Sequence, residues 1–331
     1  MFNSLFKKRE FALLITLASL VAIFSLFIPT FRTLYNLSAS TVYSVTLGLL
    51  GLGEFFVILS GNGGIDLSIG SILSMSAMTV GSLIGRHGWS ITPAVLVAIL
   101  VGGVAGLFNG ILISIFELPA LMVTLATMYL YSSIALTLSF VKVYGTFGNP
   151  MPISNFPDSF FFLGQSTILG IPFQVIVFLV PILILSYIVM EHTTYGQQLY
   201  ALGSGDKVSL YTGIPIKKIR ISVYVISGLL AGLAAVIMTS HIASSRPDLG
   251  AGYNLLAITI AVLGGVDIFG GRGTIVGLIL ADAIVTVLYN ALQLVNTNSL
   301  WQDGILGIIL IGSAVINNLD TIKYTFHIKK E

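Results

Sequence analysis

Apolar runs close to 20 residues long recur along this chain from end to end, and they decide what it can fold into. A helix needs about 20 apolar residues to cross hydrocarbon, and lipid admits only structures whose backbone groups are satisfied internally. Approximate limits of the runs are 11–29, 42–60, 68–86, 93–116, 120–141, 172–190, 220–243, 253–268, 273–295 and 301–318. Composition agrees: 56% of the 331 residues are hydrophobic and 8% are charged, against roughly a quarter charged in soluble domains. The expected fold is an all-α integral membrane protein with about ten transmembrane helices. The run at 253–268 is short for a crossing, so broken or re-entrant segments are expected. An ordinary cytosolic enzyme is excluded, and a net charge of +2 gives no case for nucleic acid. The absence of cysteine removes disulfides, thiolate metal sites and cysteine nucleophiles.

Orientation follows from the basic residues. With ten crossings and the N-terminus inside, Lys7, Lys8, Arg9, Lys207, Lys217, Lys218, Arg220, Arg272, Lys323, Lys329 and Lys330 are inside, and Arg32, Arg86, Lys142 and Arg246 outside. Eleven against four satisfies the positive-inside rule, so both termini are expected to be cytoplasmic. The first run follows Lys7-Lys8-Arg9 but is long and lacks a small-residue cleavage site; it reads as a retained span, not a signal peptide.

One stretch breaks the pattern. Asn62-Gly63-Gly64-Ile65-Asp66-Leu67-Ser68-Ile69-Gly70-Ser71 sets a carboxylate and three glycines between two apolar runs. Irregular backbone at membrane depth needs protein or a water-filled cavity to cover it, and a carboxylate there is a functional candidate. Asn62 and Asp66 are expected to line such a cavity. Gly264-Gly265-Val266-Asp267-Ile268, followed by Gly271, echoes the motif, as a true internal repeat would or as glycine-rich chance. Glu54, Asn109 and Asp282 are the other in-span polar candidates. Asp282, Thr286, Asn290 and Gln293 share one helix face, as do Thr124, Thr127 and Tyr131; Ser68, Ser71 and Ser74 follow the break. These stripes face other helices or an aqueous path, and Glu54 and Asp282 belong either to a pathway or to structural pairing. Gly102, Gly106 and Gly110, with Gly228 and Gly232, have the spacing of close helix packing.

Two connecting loops are long. The one at about 142–171 carries Pro150, Pro152, Pro157 and several phenylalanines; it is a lid or a surface for an external partner. The one at about 191–218 predicts a short helix N-capped by Asp206 and ended by Gly213, lying on lipid or against a cytoplasmic partner. No P-loop, H-E-x-x-H or G-x-S-x-G occurs, so neither ATP binding nor hydrolase chemistry is expected in the chain. The four histidines are scattered, and no metal site is expected.

The stretch 62–71 resembles the hallmark of permease subunits of ribose-type ABC importers. Leu118-Pro119-Ala120-Leu121-Met122-Val123-Thr124-Leu125-Ala126-Thr127 looks like that family's Pro-x-x-x-Val-Thr-Leu-Gly-Thr segment, with Ala126 replacing glycine. The inner loop and Val262–Gly273 match in order and spacing. Asp206-Lys207, in place of the usual Gly-x-Asn pattern, and Ser245–Gly250 look closest to permeases of autoinducer-2, rhamnose or ribose importers. The resemblance implies one transmembrane permease domain, 1–331, in a bacterial inner membrane. It implies a second permease subunit, identical or paralogous, a cytoplasmic ATPase carrying ATP and magnesium, and an extracytoplasmic binding protein delivering a small neutral sugar or sugar-like molecule. This chain would hold no cofactor. Gly203, Asp206, Lys207, Val208, Leu210, Tyr211 and Gly213 would form the helix coupled to the ATPase. Glu54, Asn62, Asp66, Ser68, Ser71, Asn109, Thr124, Thr127, Asp282 and Asn290 are the candidate substrate pathway. The rival class is an ion-coupled secondary transporter or channel with Glu54, Asp66 and Asp282 as its relay.

Overall fold

A computed structural model describes residues 2–143 and 146–317; of these, the side chains of 2–8, 141–143, 146–148, 208, 299, 300, 303, 306 and 313–317 are not described. Lys323, Lys329 and Lys330 of the charge count lie outside the described residues. The helices are α1 Phe2–Phe27, α2 Leu34–Leu59, α3 Ile69–Gly81, α4 Ile91–Ser114 and α5 Ala120–Ser139. Strands β1 Phe140–Val143 and β2 Thr146–Pro150, helix α6 Asp158–Gln165, and strands β3 Thr167–Ile168 and β4 Ile171–Pro172 follow. Then come α7 Val180–His192, α8 Thr194–Ser204, α9 Asp206–Tyr211, α10 Ile216–Ile242, α11 Tyr253–Leu263, α12 Ile275–Leu294 and α13 Ser299–Asn317. Among the described residues, seven helices are long and apolar enough to cross a membrane. α3 is short but continues as a π-helical turn, Ser82–Arg86, and α11 has only 11 residues.

Each of the ten apolar runs has its helix. The run at 253–268 is helical only to Leu263, because Gly264 and Gly265 (φ +107°) end it. Helix starts follow side-chain chemistry: the Thr33 hydroxyl accepts from the Asn36 N–H, and that of Thr274 from the Gly277 N–H.

α2 is the central helix, buried at every residue from Val45 to Leu59. A helix apolar all round belongs in the middle of a bundle. α10 crosses against α4 with backbone on backbone: a Cβ on Gly102 would collide with the Gly228 carbonyl, and one on Gly106 with that of Tyr224. The spacing read as a packing run is therefore one interface between two helices.

The bundle has two ends. The basic end gathers Gly61, Gly203, Gly270 and Gly271 in mutual contact, the Lys217–Glu117 pair, and Arg9 against the end of α11. At the opposite end β1 pairs antiparallel with β2, Phe140 opposite Pro150, and β3 with β4. There Ile153 bridges to Ser245, and the Ser240 hydroxyl donates to the Phe160 carbonyl. Residues 153–165 are thus fastened to the end of α10 and the turn that follows it.

Candidate functional site

The break after α2 builds a buried polar knot. Asp66 is fully buried. Its Oδ1 accepts the Ser68 N–H at 3.0 Å and the Ser68 hydroxyl at 2.6 Å; its Oδ2 accepts the Ser227 hydroxyl at 3.0 Å. Ser227 lies near the middle of α10, which sets Asp66 well inside the bundle. The Asp66 N–H donates to Glu54 Oε1 at 3.0 Å, so the two carboxyl residues meet through backbone, without an ion pair among the described residues. The chain of donors continues from Asn109 Nδ2 to the Ser68 hydroxyl at 2.8 Å, and from the Tyr131 hydroxyl to Asn109 Oδ1 at 3.2 Å and the Ala105 carbonyl at 3.0 Å. Thr124 donates to the Ile65 and Ala120 carbonyls, and Thr127 to Val123. Five predicted residues, Glu54, Asp66, Ser68, Asn109 and Thr124, thus sit around one loop, whereas Thr127 bonds only within α5. The five fasten α2, α3, α4, α5 and α10 together. Such a network supplies fixed dipoles and hydrogen bonds that hold the break in one geometry. Ser227 was missed by the sequence reading, since one serine in an apolar helix carries no periodic signal.

Asp282 and Asn290 do not join this knot. They meet α2 nearer its start, several turns before Glu54: the Ser44 hydroxyl donates to Asp282 Oδ2 at 2.5 Å, and the amides of Asn36 and Asn290 exchange two hydrogen bonds. Asn36, Ser40 and Ser44 recur every four residues, a face legible in the sequence but not noticed. Asn62 is exposed, with φ +54°, at a cavity of about 850 Å³ on the basic end. Asp206, Lys217, Arg220 and Tyr224 line the same cavity.

The inner loop folds as two helices, not one. α8 packs along the bundle, and Gly205 (φ +156°) turns the chain into α9. Gly203 is wedged between Leu59 and Gly271, with no room for a Cβ, so it joins the loop to the bundle core. Asp206 pairs with the nearly buried Arg220 of α10 at 2.7 Å, while Lys207, Leu210 and Tyr211 stay exposed, Tyr211 at 89%. Gly213 (φ +74°) reverses the chain after α9; the Val208 side chain lies outside the described residues. Arg220→Gln leaves Asp206 without its buried partner. It is expected to raise amide exchange of residues 206–211 about tenfold, the equivalent of ~1.4 kcal/mol of local stability, read by hydrogen–deuterium exchange mass spectrometry.

At the opposite end, Ser71 and the missed Ser132 share a hydrogen bond of 2.8 Å, and the Ser74 hydroxyl accepts the Gly250 N–H. These serines line a cavity of about 310 Å³ with Asp248 and Gly250. The segment 244–252, a series of tight turns from Pro247 on, dips into the bundle there. A Cβ on Gly70 would strike the Gly250 carbonyl. Arg246 donates to both Asp248 oxygens and holds that carboxyl below the usual carboxylate range.

The comparisons with known proteins fit this arrangement. Residues 36–314 match the family model described as branched-chain amino acid transport system / permease component. The chain belongs to this permease family. It is 32% identical over 318 residues, 95% of its length and 94% of the relative's, to the autoinducer 2 import system permease protein LsrD of Escherichia coli K12. It is 31% identical over 306 residues, 92% of this chain and 90% of the relative's, to the protein of that name from Photorhabdus temperata. A solved chain described as a metal-chelate type ABC transporter in an inward-facing conformation shares the fold, with a TM-score of 0.55 at 19% identity over 97% of this permease and 99% of that chain. The permease is a multi-pass membrane protein of an import system, and its family is not an enzyme family. The match supports the importer reading, not the ion-coupled one.

Proposed function

We propose that this permease is the transmembrane subunit of an ATP-driven importer of a small neutral sugar or sugar-like molecule, with autoinducer-2 the first candidate cargo. The observation that carries the reading is α9. This short helix projects Leu210 (68% exposed) and Tyr211 from the basic end, and the Asp206–Arg220 pair ties it to α10. Large apolar side chains held out on a rigid stub suit a protein partner, and a cytoplasmic ATPase is the one an importer requires. The basic end then faces the cytoplasm, with ten crossings and both termini inside. Residues 1–331 act as one permease domain beside a second permease subunit in lipid, and an extracytoplasmic binding protein delivers cargo to the opposite end. ATP and magnesium reside in the ATPase; this chain carries no catalytic motif and no cofactor.

Closure of the ATPases would press on α9. Gly203, packed against the 61 and 270–271 loops, would pass that motion to the helix ends that frame the polar knot. Replacing Leu210 and Tyr211 with aspartate is expected to reduce co-purification of the ATPase at least tenfold, about 1.4 kcal/mol or more, with the bundle still folded; undiminished complex would refute the docking role of α9. In proteoliposomes holding the full assembly, uptake is expected only with ATP and binding protein together. Uptake driven by a proton gradient alone would sink the importer reading.

A further inference from the structure

A groove of about 510 Å³ runs along the bundle between α1, α11, α12 and α13. Its wall is apolar, with Ala12, Leu20, Leu263, Leu288 and Ile309 along it and Arg9 among the lining residues. From Arg9 to Leu20 it spans about 16 Å of helix, at 1.5 Å per residue. Neither the polar knot nor the α9 surface uses it.

We propose that this groove holds one acyl chain of an anionic phospholipid whose phosphate sits on Arg9. Three observations favour that occupant. The groove belongs to a membrane-spanning bundle and is almost wholly apolar, which suits hydrocarbon and excludes a polar metabolite. Arg9 stands at its basic end and is half-buried. Its Nη2 donates to the Val262 and Leu263 carbonyls at 3.0 and 2.9 Å. A guanidinium carries five N–H donors; Nη2 holds two of them, and Arg9 forms no ion pair among the described residues. Asp267 is the acidic neighbour, and its Oδ1 accepts the Phe269 N–H. Third, Lys7 and Lys8 precede Arg9 in the sequence, and basic runs beside a span attract anionic lipid in the cytoplasmic leaflet. This last point rests on the orientation proposed above.

The site would matter to the machine. Arg9 caps α11 through two carbonyls, Glu10 accepts the Thr274 hydroxyl at 2.8 Å, and the loop between α11 and α12 carries the Gly270 and Gly271 contacts with Gly203. A bound headgroup would brace the loop against which the α8–α9 segment rests.

The test is native mass spectrometry of the full-length chain in its complex, released from nanodiscs of equal phosphatidylcholine and phosphatidylglycerol. The wild type is expected to retain phosphatidylglycerol about fivefold over phosphatidylcholine, the preference one basic contact to an anionic headgroup supplies. Arg9→Gln should lose that preference. Gly312 lines the groove and a Cβ there meets nothing within 4 Å, so Gly312→Phe adds a ring at the groove wall with no backbone clash at its root and should lose bound lipid of both kinds at wild-type protein yield. Equal retention of the two lipids by the wild type, unchanged preference in Arg9→Gln, or unchanged retention in Gly312→Phe would each overturn the proposal. Displacement of the lipid by added inorganic phosphate would overturn it too. Lipid retention is read without transport, so a failed uptake assay leaves this result independent.

Discussion

Gly106→Val is expected to abolish accumulation of folded protein in the membrane. The Cβ of any residue at 106 would collide with the Tyr224 carbonyl oxygen, and Gly102 and Gly228 meet one rung away with equally little room. Overpacking a soluble core costs about 1–3 kcal/mol because side chains shift aside. Here the obstacle is the backbone of a neighbouring helix, so α4 and α10 must separate. Loss of more than about 3 kcal/mol follows, since close approach is what drives helices together when lipid is as apolar as they are. The Asn109–Ser68 bond also depends on the α4 position, so the same substitution loosens the polar knot. The check is monodisperse yield in size-exclusion chromatography, with Gly304→Ala as control, because nothing lies within 4 Å of a Cβ at Gly304. A wild-type profile for Gly106→Val would remove backbone packing as the basis of the α4–α10 interface.

That interface was legible because glycine at four-residue spacing has few other uses in a spanning helix. The helices were legible for a similar reason: hydrocarbon thickness fixes length, so apolar runs count themselves. The break at 62–71 announced itself through glycines and a carboxylate where neither belongs. The echo at 264–271 has a physical counterpart, since Asp66 and Asp267 each accept the N–H two residues on.

What stayed hidden depended on which helix faces which. Asp282 and Glu54 are both acidic residues within apolar helices, yet one meets Ser44 across α2–α12 and the other meets the Asp66 backbone. No local pattern separates these two environments. Ser132 and Ser227 are single hydroxyls whose partners lie 61 and 161 residues away. The π-helical turns at Ser82–Arg86 and Val175–Leu179 and the short strands β1 to β4 reflect tertiary packing, for which propensity is a weak guide. Arg220 was read only as a positive-inside residue. Its partner, Asp206, was read as a helix cap, and the pair emerged only when α9 folded back over α10.

Asp66 is where the structural and pathway roles can be separated. Asp66→Ala removes the acceptor of three donors, the Ser68 N–H, the Ser68 hydroxyl and the Ser227 hydroxyl. Leaving a buried donor unsatisfied costs about 1–3 kcal/mol each. Serine hydroxyls can turn toward other acceptors, so the expected loss is about 3–5 kcal/mol rather than the full sum. Asp66→Asn keeps one oxygen for Ser68, and its amide can donate to a reversed Ser227 hydroxyl, so about 1 kcal/mol is expected. Thermal unfolding in detergent should therefore rank wild type above Asp66→Asn, with Asp66→Ala far below. If the carboxyl serves the knot, uptake per folded molecule by Asp66→Asn stays near wild type, because the geometry survives without the charge. If the charge itself meets cargo, Asp66→Asn shows the same small loss of melting temperature but loses uptake. An unchanged melting temperature for Asp66→Ala would sink the knot as the element that fastens five helices together.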